Sequence, residues 1–192
     1  NISMKLFEGN FYNRDSTHLS LLDKLKEVDD EIQKLISEDL LLAYHDRSDG
    51  GLFVTIAEMA FGSRSGIDLD LDNLGDDQLA ILFSEEIGSV IQVLNADNER
   101  VRNVLAEHGL NDCIHMIGHP NDNGDLRIRC NKEIIFCESA SSLRSAWSEL
   151  TYRMQSLRDN PDCAREEYDH NNDFSDRGPQ YRVKFDEGDF FP

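Results

Sequence analysis

Basic residues are scarce in this chain: 19 Lys and Arg stand against 38 Asp and Glu over 192 residues, a net charge of −19. Such a surface repels nucleic-acid backbone and anionic membrane, so no nucleic acid and no membrane is expected as a direct partner. Long apolar runs are absent as well. None approaches the roughly 18 residues of a membrane span, and the first residues carry no signal-peptide pattern. Cysteine is limited to Cys113, Cys130, Cys137 and Cys163, with no Cys-x-x-Cys pair and no histidine at zinc spacing. These read as reduced, mostly buried thiols, and a soluble, cytoplasmic protein is expected. There is no internal repeat and no phosphate loop ending in Gly-Lys-Ser/Thr. The hydrophobic share of 39% is low for a globular chain but compatible with a core. The length suits one domain, or one domain with loose ends.

What is present is organised around His45-Asp46-Arg47-Ser48-Asp49-Gly50-Gly51-Leu52. The apolar run Leu40-Leu41-Leu42-Ala43 precedes it, and Phe53 to Ala60 follows with helical spacing. The local order is therefore strand, glycine-containing turn, helix, which points backbone N–H groups at whatever sits before the helix. Gly50 and Gly51 allow positive φ or close approach of a ligand. Asp46 is a hard oxygen ligand of the kind Mg²⁺ takes alongside phosphate oxygens. Arg47 adds a fixed charge and Ser48 a hydroxyl donor. The same residues also spell ordinary N-capping, with a carboxylate or hydroxyl accepting from the first free N–H groups. Spacing alone leaves both readings open.

Along the rest of the chain, residues 1–17 sustain no period and read as an irregular N-terminal segment. From His18 to Ser37, apolar positions recur at three- and four-residue steps, an amphipathic helix with a solvated charged face. Ile67-Asp68-Leu69-Asp70-Leu71-Asp72 alternates as a strand with one wet face. Its aspartates are expected to meet solvent rather than a cation. Asp76-Asp77 reads as the cap of a short helix, and Glu85-Glu86 as a solvated turn that could also serve a ligand or cation. A buried strand over 88–94, a helix over 98–108 stopped by Gly109, and a strand over 113–117 follow. A hairpin then pairs 125–130 with 133–137 around Asn131-Lys132, and a helix runs over 141–158. Beyond Asn160 the composition turns to linker, with one candidate edge strand over 181–185. His115 and His119 lie on strand-and-turn sequence and are poor candidates for a metal pair. His45 is expected to pack or hydrogen-bond within the turn. Helix-covered strands joined by crossover and hairpin connections indicate an α+β fold.

His45–Leu52 resembles the second synthetase half of the phosphoribosylformylglycinamidine synthase family in its large single-chain form. The stretch is flanked by Leu41-Leu42-Ala43-Tyr44 and Ala57-Glu58-Met59-Ala60-Phe61. The likeness continues in order through Leu74–Asp77, Leu82–Val93 and Arg153–Ala164. It implies a layered α/β/α domain with a mixed sheet, as in the C-terminal domain of the aminoimidazole ribonucleotide synthetase superfamily. The domain would cover residues 18–160, and 161–192 would be a linker toward a glutaminase domain outside the chain. Asn1, an odd start for a native chain, fits that expectation of a fragment. The implied activity is an ATP- and glutamine-dependent ligation in purine biosynthesis, converting formylglycinamide ribonucleotide to formylglycinamidine ribonucleotide. On the matching motif Asp46 corresponds to a Mg²⁺ ligand and Ser48 to a residue contacting ATP or ADP. Implied partners are the remaining synthetase and glutaminase domains of the same polypeptide, the ribonucleotide, ATP and glutamine-derived ammonia. No catalytic residue is carried over, and the chain alone is expected to be inactive. Two rivals are another ATP-using enzyme of the superfamily, such as a selenophosphate synthetase or thiamine-phosphate kinase relative, and an acidic, non-enzymatic docking domain.

Overall fold

Residues 2–8, 29–107, 114–176 and 182 are described by a computed structural model. They fall into two compact units, Asn1–Leu143 and Arg144–Pro192. The first unit is built on a seven-stranded mixed sheet with helices, an α+β architecture. Its strands are β1 (Ile2–Glu8), β2 (Ala43–Asp46), β3 (Gly66–Asp70), β4 (Gly88–Leu94), β5 (Ile114–Asn121), β6 (Asp125–Cys130) and β7 (Glu133–Ser139), in the spatial order β2-β4-β1-β5-β3-β6-β7. Among the described residues, only β3 and β6 pair in parallel. The helices are α1, described over residues 29–37, α2 (Gly51–Ser63), α3 (Gln78–Phe83), α4 (Asn98–Glu107), α5 (Ala140–Arg158) and α6 (Pro161–Asn172).

Strand alternation assigns the helices to faces of the sheet. Ile91 and Val93 of β4 pack with Ile32 and Leu35 of α1, with Leu40, and with Val101 and Leu105 of α4. Val90, between them, faces the other way, as does His45, which is its partner across the β2–β4 ladder. His45 reaches Glu58 of α2, so α2 covers that second face. Leu52, Ile56 and Ala60 on α2 are fully buried. Burying a leucine or isoleucine side chain stabilises the fold by about 1.5–3 kcal/mol, so Leu52 and Ile56 anchor α2 firmly.

Local signals are answered in place. Asp77 caps α3 by accepting from the Leu79 and Ala80 N–H groups. Asn131 and Lys132 both take positive φ, at 53° and 66°, the geometry of a tight hairpin turn whose twist suits the flanking strands. Two expectations are corrected. Residues 1–17 are not wholly irregular, because Ile2–Glu8 forms β1, an interior strand between β4 and β5. The alternation of Ile2, Met4 and Leu6 with Ser3 and Lys5 was the available signal, interrupted at Phe7. Residues 161–172, expected as linker, form α6, with Pro161 in its first turn and the Asn160 side chain accepting from the Asp162 and Cys163 N–H groups. That arrangement is a strong helix start, and it outweighs the polar composition. In the second unit, the Tyr152 and Tyr168 rings of α5 and α6 stack at 4.7 Å. The Tyr168 hydroxyl donates to the Ser145 carbonyl at 3.0 Å.

The thiols depart from expectation too. Cys130 is buried, but Cys137 and Cys163 are exposed, since their strand and helix turn those positions outward. Among the described residues, no helix is long and apolar enough to cross a membrane. The early part of the expected helix over 18–37, the glycine stop at 109, Cys113 and the candidate strand over 181–185 lie outside the described residues, apart from Arg182.

Candidate functional site

β2 leads directly into the turn that carries the sequence motif. The Arg47 N–H donates to the Gly88 carbonyl at 2.7 Å, extending the ladder one residue past the strand. Extended backbone sends successive side chains to opposite sides, so Asp46 and Ser48 are exposed while Arg47 between them is buried. Only 2% of the Arg47 side chain is accessible. Its Nε donates to the Glu86 carbonyl at 2.8 Å, and its Nη2 lies 3.8 Å from the Glu86 carboxylate. The expectation that Arg47 supplies charge to a ligand is therefore corrected. It is an internal tether holding the turn against the segment before β4.

The start of α2 resolves the capping question. Gly50 stands at the N-cap with φ 83°, and no side chain caps the helix, so neither Asp46 nor Ser48 does so. The Gly51 N–H donates to the Ser48 carbonyl at 3.0 Å. The Gly50 N–H donates to Glu85 Oε1, also at 3.0 Å. A carboxylate thus does sit where helix-terminal N–H groups favour an anion, but it arrives from a residue 35 positions further along. Gly51 explains the close fit. At φ 67°, a Cβ there would stand 2.8 Å from backbone atoms of Leu82, Phe83 and Ser84. The two glycines serve an approach of the chain to itself. Glu85 and Glu86 are exposed, as a solvated turn would be, yet both grip the motif turn. Their adjacency at an element boundary was the only local sign of this.

Around Asp46 the remaining partners tie β2 to α2. His45 places Nδ1 at 2.7 Å from the Asp46 carbonyl and Nε2 at 2.8 Å from Glu58 Oε2. The buried Thr55 hydroxyl donates to the Gly51 carbonyl at 3.0 Å. His45 therefore hydrogen-bonds within the turn, as its position suggested, and Glu58 is the partner no spacing rule pointed to. The Asp46 carboxylate is 68% exposed, and His45 Nδ1 is 3.8 Å from it. Burial pushes the Tyr44 phenol above its ordinary range, and the charges of Asp46 and then Asp29 push the same way.

The aspartates of β3 are placed differently. Asp68 faces Arg127 at 3.5 Å and His119 at 3.9 Å, and Asp70 binds Arg129 at 2.7 Å. The arginines stand at the same levels on the parallel neighbour β6. The Arg129 hydrogen bond holds the Asp70 carboxyl below the usual carboxylate range. The β3 aspartates thus meet cross-strand arginines rather than solvent alone, a pairing that needs the tertiary register. Among the described residues, no three His, Cys, Asp or Glu side chains stand where they could share a metal ion.

The sheet order, the helices on its two faces and the strand–turn–helix at Asp46 define a layered α+β domain with a mixed sheet. The sequence profile described as AIR synthase related protein, C-terminal domain, matches residues 4–131, and the chain belongs to that family. The match begins inside β1 and ends at the β6–β7 turn. Similar solved structures include Thermotoga maritima PurL complexed with ATP, at 14% identity and a TM-score of 0.61, covering 74% of this chain and 25% of that one. Phosphoribosylformylglycinamidine synthase II from Thermotoga maritima matches at 17% identity and a TM-score of 0.62, with the same two coverages, 74% and 25%. The HypE–HypF complex matches at 14% identity and a TM-score of 0.51, covering 72% of this chain and 52% of that one. At such identities the likeness is one of fold. The chain spans about a quarter of the length of the PurL structures it matches.

Proposed function

We propose that this chain is part of a phosphoribosylformylglycinamidine synthase of the large single-chain form, and that its motif turn holds part of a Mg-nucleotide. The observation that carries the reading is the outward pair Asp46 and Ser48 before the N-terminus of α2, with Arg47 locked inward between them. Membership in the AIR synthase related family and the fold shared with an ATP-complexed PurL support it.

The donor set fits one kind of occupant. Asp46 is a single exposed carboxylate, and no second carboxylate, histidine or cysteine pair completes a metal site among the described residues. One carboxylate suits Mg²⁺ that arrives already bound to phosphate oxygens and water, and does not suit the bare ion. Asp46 would hold the ion and Ser48 would donate to a phosphate oxygen. The ion, when bound, would offset phosphate charge that a −19 chain otherwise repels. The rest of the nucleotide site and the source of ammonia would come from the remaining synthetase and glutaminase domains of the polypeptide. The 192 residues alone would not ligate ammonia to the ribonucleotide.

Calorimetry with Mg-ADP on the longer protein containing this chain tests the reading. Asp46→Asn should weaken binding and move its magnesium dependence to higher concentration, with the fold intact. Unchanged affinity and stoichiometry in a well-folded Asp46→Asn protein would sink the assignment.

A further inference from the structure

The N-terminus of α2 takes its acceptors from its own chain. The Gly50 N–H donates to Glu85 Oε1 and the Gly51 N–H to the Ser48 carbonyl. Gly51 is pressed against the Leu82–Ser84 backbone, and that close approach delivers the next residue, Glu85, to the helix start. These N–H groups are the donors a phosphate would otherwise find at a helix N-terminus. Here a carboxylate holds the place, and a phosphate could take the Gly50 N–H only by displacing it.

Charge around the turn works in the same direction. Tyr44–Leu52 and the segment Leu82–Gly88 carry Asp46, Asp49, Glu85 and Glu86 against a single arginine, Arg47. Arg47 is turned inward to Glu86, and the His45 ring lies on Glu58. A nucleotide without a metal ion brings more negative charge against these carboxylates, whereas a divalent cation on its phosphates offsets that charge. Like charges placed together reject a ligand as a steric clash does, which makes them a device of specificity. We propose that Glu85 is a specificity residue, holding the anion position at the start of α2 so that the turn accepts a phosphate only with a divalent cation on it. This inference rests on the nucleotide reading of Asp46 and Ser48 given above. On that reading Asp46 meets the cation, Ser48 meets a phosphate oxygen, and the Gly50 N–H stays with Glu85. The helix start thus excludes the bare anion instead of capturing it.

Glu85→Gln separates charge from geometry, because the glutamine amide oxygen can still accept from the Gly50 N–H. ADP binding would be measured by calorimetry on the longer protein containing this chain, once in excess Mg²⁺ and once in EDTA. The proteins compared are wild type, Glu85→Gln, Glu85→Ala and Asp46→Asn. Glu85→Gln should tighten metal-free ADP by roughly tenfold and change Mg-ADP by less than about threefold, so the preference for the metal complex narrows. Glu85→Ala, which removes the bond as well as the charge, should show the same narrowing. Metal-free binding that gains nothing in Glu85→Gln would overturn the proposal. So would loss of Mg-ADP binding in a folded Glu85→Gln protein, since Glu85 would then be holding the ligand. A narrowing in Glu85→Ala alone would assign the effect to the Gly50 bond and overturn the charge argument. Asp46→Asn tells the two levels of inference apart. If it leaves Mg-ADP affinity unchanged, the nucleotide reading fails and the role of Glu85 falls with it. If it weakens Mg-ADP while Glu85→Gln keeps the wild-type preference, only the role of Glu85 fails.

Discussion

Two groups of carboxylates in this chain look alike on paper and differ in the fold. Asp68 and Asp70 alternate along β3 with no arginine in the strand itself, yet each ends beside one, Arg127 or Arg129 on β6. Asp46 has an arginine as its immediate neighbour, yet Arg47 turns inward to Glu86 and leaves the aspartate 68% exposed. Sequence adjacency places side chains on opposite sides of an extended strand, whereas equal register on neighbouring strands places them together. Net charge is therefore a poor guide to local charge. The β3 aspartates are paired with arginines in place, and the motif turn keeps a largely exposed carboxylate, 3.8 Å from His45 Nδ1, where a cation could approach.

The contrast rests on the turn being held rigidly, and that can be broken first. Gly51→Ala would put a side chain at φ 67° and against the Leu82–Ser84 backbone. It should lower unfolding free energy by roughly 2–3 kcal/mol in denaturant titration. A loss under about 1 kcal/mol would mean that the close approach is not required.

Next in size is Arg47→Met, which keeps the volume and removes the bonds to Glu86. A loss of about 1.5–3 kcal/mol is expected, the range for hydrogen bonds to a charged group. Glu86 stays half exposed, so no stranded buried charge adds to it. If Arg47 instead served a ligand, stability would hold and only binding would fall.

Asp46→Asn sharpens the comparison from the other side. Removing a largely exposed surface charge should leave stability within about 0.5 kcal/mol. Under the function proposed above, Mg-nucleotide affinity should fall by roughly tenfold or more, as for a lost charge-assisted contact. The same change should lower the Tyr44 phenol titration, because one of the charges raising it is gone. An absorbance titration against Tyr44→Phe reads that directly.

The smallest effect belongs to the paired β3 row. Asp70 is held below the usual carboxylate range by Arg129, so its contribution is present above the unfolded value of about 3.9 and is lost as pH falls through the lower folded value. The pair is largely exposed, and solvent screening limits the gain to about 0.2–0.5 kcal/mol. Asp70→Asn should remove that small acid-range dependence and lower stability at neutral pH by the same about 0.2–0.5 kcal/mol, the two proteins converging in strong acid.

What could be read beforehand was local. The Asp77 cap and the Asn131–Lys132 turn each depend on two or three consecutive residues, and both formed where the sequence placed them. The helix after Gly51 followed from its apolar spacing. The clamp on the motif was not readable, because Glu85 meets Gly50 across 35 positions and Glu58 meets His45 across 13. A buried arginine runs against the usual exposure of that residue, so Arg47 gave no hint of its direction. β1 was missed because short alternation gains meaning only when two partner strands are known.

That interior strand has a consequence for how the chain acquires its structure. Ile2 pairs with Leu94 on one side and Phe7 with Ile114 on the other, so both partners of β1 are synthesised long after it. Until β4 and β5 emerge, its two hydrogen-bonding edges have no native partner to close on, and joining them requires closing long loops. Sheet completion should accordingly be a late, slow event dominated by non-local contacts, during which an unpaired edge invites the wrong strand. A ribosome-bound chain ending before residue 114 would expose that hazard directly, and chaperone dependence should fall once β5 is released.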